Sequence, residues 1–445
     1  MAKSKKQNEK PLPTQEIRIL GQPIISKTEL DDKTLFELDE LDKNLYFDNI
    51  NNRDLLASRI KVQAADTGVM KGRGVLEILD KEAYLRLSKN NYLPNKDDIF
   101  VNSDKIKRYN LRTGHEIDCT IDPNSKHGEY LKLLQVQTVS GKSYNELIKN
   151  QDRNNESIYF YNLESIYPDE RLVLEHDPQE YSTRIIDLVS PIGKGQRGLV
   201  IAPPRAGKTT MLCNIAHGIE KNYPDMLIIF LLIDERPEEV TKIKRSINGE
   251  IISSTFDEDP DRHLQVADMT IEKAKRYAEH GKDVIIFLDS ITRYVRALNV
   301  ATPGSGRILS GGIDSKTLIK PRKFFGAARN LEGSGSLTIM ASALVGTNSR
   351  GDDIICEDLK GTANMEICLS QDLLDDRIFP TIDIKRSKTR EEELLLDPVT
   401  LRKVSRYIKQ ISSGKHVGDI TAEMIAGLQQ YKHNVDFVKN MKGVF

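Results

Sequence analysis

Lys208 and Thr209 stand side by side where a loop becomes a helix, and they are the first residues here whose types and spacing suggest chemistry. They end the stretch Ala202-Pro-Pro-Arg-Ala-Gly-Lys-Thr209. It follows the apolar run Gly198-Leu-Val-Ile201 and precedes a helical pattern, Thr210 to Glu220, with Met211, Leu212, Ile215 and Ile219 on one face. Strand, tight loop and helix N-terminus together hold phosphates, because the loop amides and the helix dipole both favour negative charge. In that setting Lys208 supplies a point charge to the β- and γ-phosphates of ATP, and the Thr209 hydroxyl coordinates Mg²⁺. Arg205, Ala206, Gly207 and Thr210 complete the candidate nucleotide contacts. Ala202 stands where the general GxxxxGK[ST] pattern has its first glycine.

Two further apolar runs end in acids. Val284-Ile-Ile-Phe-Leu-Asp289 puts Asp289 where a strand-end aspartate holds the Mg²⁺ shell. Leu231-Leu-Ile-Asp-Glu-Arg-Pro237 ends in Asp234, Glu235 and Arg236. Strands of a parallel sheet end on the same side as the phosphate loop, so Glu235 is predicted to reach the attacking water as its general base. The basic stretch Asp383-Ile-Lys-Arg-Ser-Lys-Thr-Arg390 offers a guanidinium for the γ-phosphate. Such a group raises phosphoryl-transfer rates by about 10³–10⁵. Spacing does not choose between Arg386 and Arg390.

These residues need a scaffold, and the 445 residues suffice for about two to four domains. Residues 1–65 are polar and broken by Pro11, Pro13 and Pro23, with helical spacing at Leu35, Leu38, Leu41 and Leu45, which predicts a partly disordered segment with some helix. Residues 66–141 carry short alternating runs between turn residues and predict a small all-β barrel. Residues 142–182 read as a polar connector. Residues 183–445 alternate near-continuous apolar runs with amphipathic helices, the pattern of an α/β domain with a mostly parallel sheet and a helical C-terminus.

Lys plus Arg number 65 and Asp plus Glu 66, so bulk charge attracts no nucleic acid and any basic surface must be local. The four cysteines are scattered without a CxxC pair, which indicates reduced thiols rather than a zinc site or a disulfide framework. The longest apolar run, Met226 to Ile233, suits a buried strand and is far too short to span a membrane. The lysines at the N-terminus precede no apolar stretch, so a signal peptide of the usual kind is not expected and the cytoplasm is.

Several strings occur in order along the chain: Ile192-Gly-Lys-Gly-Gln-Arg-Gly198, the phosphate loop, Asp234-Glu-Arg-Pro-Glu-Glu-Val240, Leu288-Asp-Ser-Ile-Thr-Arg293, Leu309-Ser-Gly-Gly312 and Leu359-Lys-Gly-Thr-Ala-Asn-Met-Glu366. Together they resemble the Rho family of bacterial transcription termination factors, over about residues 66 to 440. The family also has alanine at the position of Ala202. The resemblance implies a RecA-like P-loop ATPase core behind an OB-fold RNA-binding domain. It implies a homohexamer that threads single-stranded RNA, hydrolyses ATP with Mg²⁺, unwinds RNA–DNA hybrids and acts on the RNA polymerase elongation complex.

Residue by residue, the resemblance puts Lys208, Thr209 and Asp289 on phosphate and Mg²⁺ positions, Glu235 on the catalytic glutamate, and Arg390 on an arginine finger acting on a neighbouring subunit. Arg236 and Arg293 fall in the nucleotide pocket and Phe379 near the base. Two loops are expected at the ring centre, Ala301–Gly312 with Arg307 and Gly346–Asp353 with Arg350. In the barrel, Tyr84, Arg86, Phe100, Arg108 and Tyr130 fall on positions that contact pyrimidines or backbone. Glu82 and Ala83 replace an aromatic and a glycine, and Asp122 sits where a basic residue is common, so RNA capture is expected to be weakened. Outside the resemblance, two other readings stand: a RecA-like hexameric motor acting on DNA, and a nucleotide-gated RNA-binding ring with little translocation. Retention of Glu235 and Arg390 argues against the second.

Overall fold

The structure is a computed structural model that describes residues 70–143, 159–304 and 306–441. The expectations for residues 1–65, and for part of the connector, lie outside the described residues. The N-terminal unit has strands β1 (Met70–Ile78), β2 (Ala83–Arg86), β3 (Ile99–Phe100), β4 (Glu116–His127), β5 (Tyr130–Val139) and β6 (Lys142–Ser143), with helix α1 (Ser103–Tyr109) between β3 and β4. The order is β3-β2-β1-β4-β5-β6, and an additional pairing of β3 with β5 closes the sheet into a barrel, the OB fold. Alternation divides the strands. Leu85, Ile99, Ile117, Cys119 and Ile121 fill the barrel core, whereas Tyr84 and Phe100, paired in register, lie on the other face.

The second unit has β7 (Ser165–Ile166), β8 (Arg171–Leu172), α2 (Tyr181–Val189), β9 (Ile192–Gly193), β10 (Arg197–Ala202), α3 (Lys208–Asn222), β11 (Leu227–Glu235), α4 (Pro237–Ser246), β12 (Glu250–Thr255), α5 (Pro260–Glu279), β13 (Val284–Asp289), α6 (Ile291–Ala301), α7 (Ile319–Phe325), β14 (Arg329–Leu331), β15 (Ser336–Leu344), α8 (Arg350–Lys360), β16 (Met365–Cys368), α9 (Gln371–Asp375), β17 (Lys388–Thr389), α10 (Pro398–Ile411), α11 (Val417–Gln429) and α12 (Asn434–Asn440). The main sheet runs β12-β11-β13-β15-β10-β16-β17. Along this path all pairs are parallel except β16–β17, and β14, paired to β15 and to β7, adds two further antiparallel pairs.

The apolar runs are continuous because both faces of this sheet are covered. Ile229, Leu231, Ile286 and Leu288 belong to one core cluster, with residues of α5 and α6. Phe230, Leu232, Ile285 and Phe287 belong to the other, with residues of α3 and α4. The Phe230 and Phe287 rings stack at 4.7 Å. No described helix is long and apolar enough to cross a membrane.

The barrel is fixed to the ATPase unit by buried charge. Lys273 on α5 lies 2.9 Å from Glu116 of β4 and 2.7 Å from Glu250 of β12. It also donates to the Tyr92 hydroxyl at 3.1 Å, and Arg112 grips Glu279 through two hydrogen bonds. Burial alone pushes the Lys273 ammonium down, but the two carboxylates win and hold it well above its ordinary value.

Candidate nucleotide and RNA sites

β10 delivers the chain to the phosphate loop. Arg205 (φ 66) and Gly207 (φ 89) take left-handed backbone there, and α3 starts at Lys208. A Cβ at Gly207 would meet nothing within 4 Å, so the glycine answers the backbone angle rather than crowding.

Lys208 Nζ donates to Glu235 Oε1 at 3.0 Å and to Asp289 Oδ1 at 2.5 Å. Thr209 Oγ1 donates to Asp289 Oδ2 at 2.6 Å. The Ser342 hydroxyl, one strand over on β15, donates to Asp289 Oδ1 at 2.6 Å. Burial pushes the Asp289 carboxyl up, but Lys208 and these hydroxyls hold it below its usual range. Glu235 goes the other way: burial, then repulsion from Asp289, pushes it up to about 7 despite Lys208. Thr209 and Asp289 are hard oxygen donors, one of them anionic, set beside the phosphate loop, which is the donor chemistry Mg²⁺ takes.

Glu235 reaches this cluster because β11 is bulged. The register with β12 shifts between Ile233 and Glu235, and Asp234 between them has φ 57. Glu235 is therefore buried while Asp234 stays half-exposed. Arg293 lies 3.6 Å from Glu235 and 3.9 Å from Asp234. Arg236 is exposed at the head of α4.

Beside the loop is a cleft of about 340 Å³, lined by Arg205, Ala206, Gly207, Thr210 and Phe379 together with Gln179, Glu180 and Tyr181. Phe379 is 61 % exposed there, an open aromatic face for a base. Thr381 donates to the Ala206 carbonyl at 2.7 Å, tying the Phe379 segment to the phosphate loop. Gln179, Glu180 and Tyr181 were not singled out in the sequence, because a wall built from a connector has no local motif.

The antiparallel return of β17 separates the two candidate arginines. Thr389 pairs with Met365, and Met365 pairs with Gly198 near the start of β10. Arg390 is therefore level with the beginning of β10, roughly 13 Å along the strand from the loop at about 3.3 Å per residue. Its amide donates to the Asn364 carbonyl, its side chain is exposed, and Arg197 feels both it and Arg329. Arg386 lies at the other end, where its carbonyl accepts from the Cys368 thiol, and Cys368 pairs with Ile201.

The two expected central loops meet. A Cβ at Gly311 (φ +83) would come within 2.5 Å of the Gly351 nitrogen, so the 301–312 loop lies against the start of α8. Arg307 and Arg350 are both exposed on this pair of loops. Asp352 anchors the second loop to α6, accepting from Arg296 at 2.9 and 2.5 Å and from Thr347 at 2.5 Å. β15 leads straight from the Asp289–Ser342 contact into the second loop, and the Leu344 amide donates to Thr292 at 2.9 Å on the way.

On the barrel, Tyr84 lies edge-on to Phe100 at 5.7 Å and to Tyr130 at 4.9 Å, so the three rings form one cluster. Lys132 pairs with Phe100 and with Asp122, which brings the unexpected acid opposite a lysine. Arg86 departs from the expectation of an open RNA contact. It is 3 % exposed and paired to Glu77 and Asp98, each at 2.6 Å, with its guanidinium 5.0 Å from the Tyr84 ring centre. Arg86 thus supports the ring from beneath. Arg108 is exposed on the last turn of α1 beside Tyr109.

A parallel sheet with a phosphate loop, two strand-end acids and a small barrel in front defines a RecA-like P-loop ATPase carrying an OB-fold domain. Residues 72–145 match the Rho termination factor RNA-binding domain, and residues 182–389 match the ATP synthase alpha/beta family nucleotide-binding domain. The chain is 44 % identical over 425 residues to transcription termination factor Rho of Aquifex aeolicus, covering 94 % of this chain and 96 % of that one. To Rho of Escherichia coli K12 it is 45 % identical over 424 residues, covering 93 % and 99 %. A solved structure of a prototypical ATPase from the type III secretion system of pathogenic bacteria shares the ATPase fold. It has a TM-score of 0.52 at 20 % identity, covering 64 % of this chain and 89 % of that one. The chain belongs to the transcription termination factor Rho family.

Proposed function

We propose that this chain hydrolyses ATP to pull single-stranded RNA through a ring of identical subunits. It thereby unwinds the RNA–DNA hybrid and ends transcription at the RNA polymerase elongation complex in the cytoplasm. The observation that carries the ring is the position of Arg390, at the end of the sheet opposite its own phosphate loop. A guanidinium there serves a γ-phosphate only when it belongs to a second copy. Arg390 is the finger in this reading, and Arg386 is not.

Lys208 neutralises charge that develops on the transferred phosphoryl group. Glu235 takes the proton of the attacking water as its oxygen bonds to the γ-phosphorus, and ADP departs as the bridging bond breaks. Thr209 and Asp289 are the residues that would hold Mg²⁺, which supplies charge neutralisation at the phosphates. Arg236 and Arg293 border the phosphates, and Phe379 stacks on the base. Tyr84, Phe100 and Tyr130 take the RNA first, with Arg108 beside them, and Arg307 and Arg350 grip its backbone in the ring centre. The deciding experiment is an ATPase assay with poly(C), other RNAs and single-stranded DNA. Stimulation by RNA and not by DNA is expected, and equal stimulation by single-stranded DNA sinks the reading.

A further inference from the structure

The aromatic rings of the barrel face are almost closed to solvent: Tyr84 is 7 % exposed and Phe100 9 %. What covers them is a hairpin of the same chain. β4 ends at His127, Gly128 and Glu129 make the turn, and β5 begins at Tyr130, directly opposite His127 in register. The His127 imidazole lies flat on Phe100, with ring centres 3.9 Å apart and planes 15° from parallel. Glu82 holds this arrangement. One of its oxygens accepts from the Tyr84 hydroxyl at 2.6 Å, and the other lies 3.3 Å from His127 Nε2. The bond to Glu82 pushes the Tyr84 hydroxyl up to about 12.

A flat heteroaromatic ring stacked on Phe100 occupies the volume a nucleobase needs there, and with Phe100 so nearly covered no second face remains. We infer that His127 is a built-in occupant of the base-stacking position on Phe100, latched by Glu82, which RNA must displace. His127 then sets the affinity of the barrel for single strands. The latch is releasable, because the His127 and Glu82 side chains are 43 % and 46 % exposed and an exposed pair of this kind is weak. The inference rests on reading this face as an RNA site, so its test carries a control for that reading.

Fluorescence anisotropy with labelled oligo(C) on the full chain tests it. His127→Ala is expected to tighten binding about tenfold, equivalent to about 1.4 kcal/mol, because a base can then stack on the freed ring. Glu82→Gln, which loosens the latch but keeps the ring, is expected to tighten it by a smaller factor. Tyr84→Ala is expected to weaken it. Weaker or unchanged binding in His127→Ala, with a loss in Tyr84→Ala, overturns the displaced-occupant inference alone. No change in either variant overturns the RNA reading of the face and the inference together.

Discussion

Around Lys208 the buried charges hold one another, and Lys208 is 15 % exposed. Around Arg86 the pairs are closed, with Arg86 at 4 % and Asp98 at 0 % side-chain exposure. The same physics gives two outcomes. In the ATPase unit, strand-end residues converge at the edge of a sheet, beside a helix N-terminus where phosphate can replace a carboxylate as partner of the lysine. In the barrel, Arg86 lies on a short strand, paired to Glu77 and Asp98 with its guanidinium 5.0 Å from the Tyr84 ring centre, so its charge is engaged within the fold. A desolvated charge marks function only where the surroundings leave it a partner to exchange.

The largest test of this contrast is Arg390, an open charge at a distance from its own site. Arg390→Ala is expected to reduce RNA-stimulated turnover by about 10³-fold or more. Mixing Arg390→Ala with Lys208→Ala subunits is expected to restore part of it, because some interfaces then contain both groups. Steady-state ATPase of the mixture reads this directly, and no recovery sinks action in trans.

Next comes Glu235→Gln, expected to keep ATP binding while losing about 10²–10⁴ in turnover. The pH profile sharpens it. Glu235 must be ionised to accept a proton, and burial beside Asp289 pushes it up to about 7. Since kcat/KM reports the free enzyme, it is expected to fall as pH drops below about 7 and to level off above. Equal losses of binding and turnover in Glu235→Gln point instead to a structural role.

The candidates Lys208, Thr209, Glu235 and Asp289 stand out in the sequence because each sits in a contiguous string at or just after the end of an apolar run. Partners supplied by register were not. Ser342 joins Asp289 across 53 residues, and its hydroxyl is not marked out locally, because Ser336 and Thr338 lie on the same strand. Arg386 and Arg390 are four residues apart, and only the antiparallel pairing of β17 tells which end of the sheet each serves. Arg86 reads as an RNA contact until β1 and β3 bring Glu77 and Asp98 to it. His127 gave no signal, since a histidine before a Gly-Glu turn is ordinary. The α/β core and the barrel were readable because the apolar runs and the barrel alternation are properties of single segments, whereas the short strands β6, β7 and β8 within the connector were not.

A smaller effect is expected in the barrel. Arg86→Ala leaves Asp98 buried without its guanidinium, an outcome worth about 3–5 kcal/mol when a buried pair loses one member. Because Glu77 is half-buried and Asp98 also accepts from the Asn95 amide, the lower end of that range is expected. The variant is expected to melt earlier while basal ATPase at low temperature stays near normal, as thermal unfolding and an assay below the transition check. Unchanged melting with a selective loss of RNA affinity restores Arg86 to the role of a direct contact.

The smallest effect expected is the one that joins the two kinds of region. Ser342 touches Asp289 on one side, and on the other β15 runs through Leu344, held by Thr292, into the loop that carries Arg350. A hydrogen bond to a charged group contributes about 1.5–3 kcal/mol, but Asp289 keeps Lys208 and Thr209 when the hydroxyl is removed. Ser342→Ala is therefore expected to cost about tenfold or less. If the strand only buttresses the aspartate, basal and RNA-stimulated rates fall by the same factor. If it transmits RNA binding to the ATP site, the stimulated rate falls more, because an RNA grip on the loop moves a strand no longer tied to Asp289. The ratio of ATPase rates with and without poly(C), compared between the variant and the parent chain, separates the two. An unchanged ratio removes β15 as the link between them.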